Sequence, residues 1–484
     1  MSQIIHRIHD DVVKRTAARC KARGITIPTF QQLRNPDKIP AAVKSKLPNV
    51  GLWDVNPLNL WRITWKNDTK TGLFGNVNFF EIPKAVTGVD ARIIGLTGKF
   101  FPTGAHKVGA AFGCLVPRLV SGEFDPEKHK AVWPSTGNYC RGGAFDCALL
   151  GCTAVAILPE EMSQERFTWL KEIGAEVIAT PGCESNVKEI YDKCWELRRE
   201  FGDKVVILNQ FDEMGNSMWH FAVTGQAMQE VFEKEKKAGQ RLAGVSLTQG
   251  SAGTLGSGEY LKEVYPLVKL TVGEALQCPT LYLNGFGGHR IEGIGDKHVP
   301  WVHNLKHTDV VAAIDDNACI ALMRLFNEPA GRAFLKKIGA PREVVDQLAL
   351  LGISGIAHLI GASYASLGGV VASIAVMAVS GLGFMGLSIA LASKIDSTEG
   401  FQVLMSFMTM PLVLLSGAFF PISDLPAWLA GLVHLNPLTY AVEAIRYLLL
   451  GSSSIPIRLC LEVTAAFAAV MLWMGGRMFG KIRV

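Results

Sequence analysis

From Ala362 to Ala392 the chain runs for 31 residues without a charged side chain, and that run limits every fold the whole can adopt. As a helix it would extend roughly 46 Å. It is too long and too apolar for the core helix of a water-soluble domain, so it predicts a transmembrane span. Upstream of Gly361, by contrast, charges recur every few residues. The sequence therefore divides near residue 361 into two pieces suited to different solvents.

In the first piece, residues 1–85 are punctuated by Pro28, Pro36, Pro40, Pro48 and Pro57. They predict an N-terminal wrap around the domain that follows rather than a domain of their own. The start, Met1 to Arg7, lacks the apolar stretch of a secretory signal. From Ala91 onward, strand-like runs at Ala91–Leu96, Ala131–Trp133, Thr153–Leu158, Glu176–Ala179, Val205–Leu208, Gly244–Thr248 and Lys269–Gly273 alternate with helical ones. The helical patterns include Val108–Leu119, Ser163–Ile173, Ser185–Glu200 and Ser217–Lys236. This alternation predicts an α/β domain over residues 86–361, with mostly parallel sheets flanked by helices. The ten cysteines show no C-x-x-C spacing, and the cluster of Cys140, Cys147 and Cys152 lacks metal-site spacing, so reduced thiols and no metal are expected. A net charge of +5 from 48 basic and 43 acidic residues gives a nucleic-acid partner no electrostatic footing.

In α/β sheets ligands gather at the carboxyl ends of strands, and this chain puts small and polar residues there. Lys107 follows Phe101-Pro102-Thr103-Gly104-Ala105-His106 at a strand–loop–helix junction. Among small residues a lysine is partly desolvated, its pKa falls, and its amine becomes a usable nucleophile. A lysine in an ordinary turn is simply a surface charge. After Ala131–Trp133 comes Ser135-Thr136-Gly137-Asn138, whose hydroxyls and amide at a helix start suit a carboxylate. After Gly244–Thr248 comes Gly250-Ser251-Ala252-Gly253-Thr254, whose backbone N–H groups suit a phosphate. A third strand end, Leu351-Gly352-Ile353, leads to Ser354-Gly355, again at a helix start. Taken singly, such turns are more often structural than functional. This part has no G-x-x-x-x-G-K-[ST] and no G-x-G-x-x-G, which argues against a nucleotide site.

Taken in this order, the lysine loop, Ser-Thr-Gly-Asn loop, glycine-rich loop and late Ser-Gly resemble the fold-type II pyridoxal-phosphate enzymes, the cysteine synthase and tryptophan synthase β-subunit superfamily. The runs Met162-Ser163-x-Glu165-Arg166 through Val177, and Ile291-Glu292-Gly293-Ile294-Gly295, are similar to that family's stretches as well. The resemblance covers roughly residues 55–361. It implies that Lys107 holds pyridoxal 5′-phosphate as a Schiff base and shuttles the substrate α-proton. It also implies that Asn138 bonds the ring's 3′-oxygen, that Ser135, Thr136 and Gly137 bind the amino acid's carboxylate, and that Gly250, Ser251, Ala252, Gly253 and Thr254 hold the phosphate. Ser354 would face the pyridine nitrogen, a neutral partner that suits loss of a β-substituent to give an aminoacrylate. The Gly104-Ala105-His106-Lys107 run looks like the tryptophan synthase β-subunit, but Ser135 stands where that enzyme has a catalytic glutamate. Tyr139-Cys140-Arg141 likewise departs from the small residues of cysteine synthases. The implied activity is β-elimination or β-replacement on a serine- or cysteine-like amino acid, with a homodimer as the implied assembly. Gly287-Gly288-His289-Arg290 and Asp296-Lys297-His298 are candidate substrate contacts or structural residues.

In the second piece, residues 362–484, the expected spans are Ala362–Ala392, Phe401–Phe420 and Ile457–Gly475, making an all-α transmembrane segment. Leu415-Ser416-Gly417-Ala418-Phe419-Phe420-Pro421 and Leu435-Asn436-Pro437-Leu438-Thr439-Tyr440 resemble the C-terminal half of an ABC-2 type permease. That resemblance implies a place in the cell membrane among lipids, a separate ABC ATPase subunit as partner, and about three of six spans. The enzymes resembled by the first piece continue beyond their Ser-Gly helix, so a C-terminally shortened catalytic domain in a fused or truncated reading frame is expected. The rival expectation is a membrane-tethered enzyme with an even number of spans. The alternative function is a permease subunit of an exporter carrying an inactive N-terminal part.

Overall fold

The computed structural model describes residues 6–479 except 88, 136, 183–186, 284, 286, 292, 353–354, 358–366, 396, 398–406, 409–410, 414, 418–426 and 451–452. It divides into two compact units, one ending at Ala362 and the other beginning at Ser363.

In the first unit, β1 (Phe79–Ile82) and β2 (Ile93–Leu96) form an antiparallel pair with Phe79 opposite Leu96. Helix α1 (Lys107–Ser121) leads to β3 (Lys130–Pro134), α2 (Asn138–Leu150), β4 (Thr153–Pro159), α3 (Gln164–Glu172), β5 (Glu176–Thr180) and β6 (Val205–Ile207). The last four strands make a parallel sheet in the order β5-β4-β3-β6. A second parallel sheet has β8 (Lys269–Ala275) between β7 (Gly244–Thr248) and β9 (Val310–Ile314), with α4 (Leu255–Val264) between β7 and β8.

The period of two along β3 and β4 sorts their side chains onto two covered faces. Ala131, Trp133, Ala154, Ala156 and Leu158 join the large core that includes α1 and α2. Val132, Val155 and Ile157 pack on Ile190, Cys194 and Leu197 of the helix Val187–Phe201, which are spaced to share one helical face. Covering both faces is why these strands read as unbroken apolar runs rather than alternating ones.

Three features depart from the sequence reading. β1 and β9 were not expected, and β1 adds an antiparallel pairing to a chain read as mostly parallel. The helix expected over Ser217–Lys236 starts at Met214 and is interrupted by a π-helical turn at His220–Thr224 before Gly225–Glu235. Leu351 and Gly352, read as the end of a strand, carry none.

In the second unit, α5 (Leu367–Ala392), α6 (Pro437–Leu450) and α7 (Ile457–Phe479) are helical. Among the described residues, stretches of α5 and α7 are long and apolar enough to cross a membrane, with 28% and 17% of their apolar windows buried. Exposed Ile374, Met377, Val470 and Leu472 would be badly solvated by water and well solvated by lipid. Trp473, with Arg477 5.3 Å over its ring, is the aromatic–cation pair common at a membrane–water boundary. The two helices touch backbone to backbone: a Cβ on Gly475 would lie 2.6 Å from the Gly386 carbonyl oxygen, and one on Gly386 2.5 Å from that of Met471. Small residues are what allow such an approach. The expected span over 401–420 lies mostly outside the described residues.

The segments carrying the two permease-like runs are joined by hydrogen bonds. Asn436 Nδ2 donates to the Leu412 carbonyl at 2.7 Å, Thr439 Oγ1 to that of Leu415 at 3.3 Å, and Arg446 to that of Gly417 at 2.6 Å. Their polar side chains thus close backbone carbonyls that a bilayer would otherwise leave unsatisfied.

Candidate active site

The lysine loop, the Ser-Thr-Gly-Asn loop and the glycine-rich loop meet where strands of the two parallel sheets end. Lys107 opens α1, and its Nζ donates to Ser251 Oγ at 2.9 Å and to Gln210 Oε1 at 3.0 Å. Neither acceptor is a carboxylate, and desolvation of the ammonium outweighs the opposing influence of Cys114. Burial brings the Lys107 pKa from 10.5 down to about 8, into the range of a working amine.

Around this amine the polar groups form one network. Gln210 Nε2 donates to Ser135 Oγ at 3.3 Å. Asn216 Nδ2 donates to Ser251 Oγ at 3.1 Å and to the Gln210 carbonyl at 2.9 Å. Ser135 Oγ also accepts from the Gly137 N–H at 3.2 Å. Three expected site residues, Lys107, Ser135 and Ser251, are thereby joined through two that the sequence reading missed, Gln210 and Asn216. Gln210 had a usable signal, because it lies just past the carboxyl end of β6 as the other loops lie past theirs. Asn216, inside a helix, had none.

Asn138 begins α2 and is exposed, and Gly137 stands just ahead of it. Gly250, Ala252, Gly253 and Thr254 lead from β7 into α4, with Thr254 Oγ1 donating to the Thr248 carbonyl at 3.3 Å. Thr136 and Ser354 lie outside the described residues. His289 Nδ1 meets the Ile291 carbonyl at 3.2 Å within its own loop, while Arg290 ties that loop to Asp316 and Asn317 at the start of the helix Asp316–Asn327. That loop reaches the site through the Gly295 N–H, which donates to the Gln249 carbonyl at 2.9 Å.

Backbone strain is concentrated here. Among the described residues, the non-glycine residues with positive φ are Thr103 at 66° and Ala252 at 59°. One is in the lysine loop and the other in the glycine-rich loop. Each such conformation costs about 1–3 kcal/mol and persists where surrounding structure enforces it, commonly at ligand sites. Buried Gln249 has neither carboxamide atom hydrogen-bonded, and Asn216 Oδ1 is also unpartnered. Buried polar groups are seldom left so. These orphaned atoms beside a small-residue loop at a helix start, close to a deprotonatable lysine, fit a phosphate-bearing carbonyl cofactor.

The fold and the site together define an α/β domain with a desolvated lysine among the loops at its strand ends. Residues 97–333 match the model of the pyridoxal-phosphate-dependent enzyme family, and residues 344–450 match that of the ABC-2 type transporter family. A cysteine synthase of Staphylococcus aureus is 35% identical over 224 residues, 46% of this chain and 69% of that protein. A cystathionine beta-synthase of Saccharomyces cerevisiae is 30% identical over 244 residues, 49% of this chain and 48% of that protein. The crystal structure of a hydrogen sulfide-producing enzyme of Fusobacterium nucleatum shares the fold, with a TM-score of 0.50 at 22% identity, covering 59% of this chain and 87% of that one. The chain belongs to the pyridoxal-phosphate-dependent enzymes of the cysteine synthase type, and its residues 344–450 are similar to the ABC-2 type transporters. Ser354 falls on the transporter side of these two matches.

Proposed function

We propose that the first unit catalyses β-elimination or β-replacement on a serine- or cysteine-like amino acid, as its cysteine synthase relatives' names imply for them. The observation that carries this reading is the Lys107 amine, desolvated and held between Ser251 and Gln210 hydroxyl and amide oxygens. Pyridoxal phosphate, when bound, supplies the electron sink that lets the substrate's Cα–H bond break. Lys107 attaches that cofactor and afterwards takes up and returns the Cα proton. Gly250, Ser251, Ala252, Gly253 and Thr254 hold the phosphate with backbone N–H groups and hydroxyls. Asn138, exposed at the start of α2, bonds the ring oxygen, and Ser135, Thr136 and Gly137 orient the substrate carboxylate. Gln210 links the carboxylate loop to the lysine and fixes the distance between them.

The second unit supports membrane association. We infer that it sits in the cell membrane with the basic tail, Arg477, Lys481 and Arg483, on the cytoplasmic side. We also infer that it recruits an ATP-hydrolysing subunit and that the enzyme part pairs with a second copy. Purified, detergent-solubilised full chain should be yellow and should release pyruvate from serine or cysteine esters and analogues. Lys107→Ala should remove both the colour and the activity. A folded wild-type chain that stays colourless with added cofactor would sink the enzyme reading and leave the transporter one.

A further inference from the structure

Two cations beside the carboxylate loop are surplus to the reaction as described. Arg166, in the first turn of α3, brings its guanidinium to 3.6 Å from where a Cβ on Gly137 would lie. Arg141, one turn along α2 from that loop, donates its backbone N–H to the Gly137 carbonyl at 3.3 Å. Its guanidinium lies 4.8 Å over the Trp169 ring and 5.7 Å from the Trp53 ring. Trp53 in turn reaches the lysine loop, with its ring 3.1 Å from a Cβ built on Gly104.

Stacking on indole faces leaves the edge N–H donors of a guanidinium directed outward, and Arg141 Nε is buried with no partner. Burial and the neighbouring Arg166 both weaken the hold of Arg141 on its proton. The acidic residue acting on Arg141 is Glu165, which is exposed. Two guanidinium groups brought together against their mutual repulsion, at a loop already supplied with neutral donors for one carboxylate, make a place for a second anion.

We propose that Arg141 and Arg166 form an anion subsite that selects amino acids whose β-substituent is itself an oxyanion, a phosphate ester foremost. This rests on the β-replacement reading above. With such a substrate the Cβ–O bond breaks and its electron pair leaves on inorganic phosphate. A C–S bond forms to hydrosulfide, and the proton taken from Cα returns to it, so nothing is oxidised or reduced.

The test compares kcat/KM for O-phospho-L-serine and O-acetyl-L-serine, each with sulfide, in the cofactor-loaded full chain and its Arg141→Gln variant. The phosphate ester should be preferred by the wild type. The preference should fall roughly tenfold or more in the variant, the equivalent of one lost charge-assisted hydrogen bond, and should be partly restored by Arg141→Lys. A readout independent of turnover is binding of L-2-amino-3-phosphonopropanoate against L-alanine, followed by tryptophan fluorescence of the wild type. The phosphonate should bind more tightly, and increasingly so as salt is lowered. Turnover of the acetyl ester without phosphate preference, or equal binding of phosphonate and alanine, overturns the subsite alone. No turnover of either ester overturns the β-replacement reading and this inference with it.

Discussion

Gly253→Ala is the smallest change that should dismantle the site. A Cβ there would stand 1.9 Å from Asn216 Oδ1, 2.3 Å from its Cγ and 2.5 Å from its Nδ2. Asn216 is fully buried, so it has nowhere to move without abandoning its bonds to Ser251 Oγ and the Gln210 carbonyl. Overpacking costs about 1–3 kcal/mol, and each buried hydrogen bond lost adds about 1 kcal/mol or more. The total is about 3–5 kcal/mol, a large share of the about 5–15 kcal/mol that holds a domain together. Ser251 would then be free to turn from Lys107, and cofactor affinity should drop with stability. The assay is urea unfolding of the detergent-solubilised full chain, followed by cofactor absorbance and tryptophan fluorescence. The same substitution in an Asn216→Ala background meets none of these three atoms, so there it should cost clearly less. Equal costs in the two backgrounds would refute the steric argument, since contacting residues are expected to couple and distant ones to add.

The cofactor-free protein should become more stable as pH rises from about 8 to 10.5. Lys107 has a folded pKa of about 8 against an ordinary 10.5, so across that window the unfolded chain binds more protons and stability increases with pH. The gain, about 3 kcal/mol at most, should vanish from the melting curves of Lys107→Met, and a wild-type slope matching the variant's would contradict it. Ser251→Ala removes the acceptor of one Lys107 bond and one Asn216 bond, and kcat/KM should fall roughly 10- to 100-fold; an unchanged value in steady-state assays would remove Ser251 from the site. In the second unit, Gly386→Leu should force α5 and α7 apart and lower the stability of that unit by about 1–3 kcal/mol. Denaturation in mixed micelles reads this directly, and an unaltered transition would mean that the close approach contributes nothing.

The strand positions were legible because β3 and β4 are buried on both sides, which leaves continuous runs such as Thr153–Leu158 that end where charge resumes. β1 escaped notice because it spans four residues and Glu81 breaks its apolar run, while β9, five residues long, has nothing in its length to set it apart from the strands that were read. The lysine, Ser-Thr-Gly-Asn and glycine-rich loops were readable from small residues preceding helices. Gln210 could have been read from its place just past the end of β6, whereas Asn216 could not, because a single amide inside a helix has no local signature until folding brings it to the site. The interrupted helix after Met214 was equally invisible, since one extra residue in a turn leaves the apolar spacing on either side nearly intact.

That π-helical turn at His220–Thr224 divides one rod into two segments with independent rotational phase. Ahead of it, Asn216 and Trp219 are fully buried, and behind it Ala227 and Val231 are buried against the core. Removing a single residue within 220–224 would rotate one segment against the other by about 100°, so either the segment bearing Asn216 or the one bearing Val231 would have to face the wrong way. The length of this turn is thus a timing element written in residues. A deletion scan through it should tolerate no single loss, even of a side chain that touches nothing in the site.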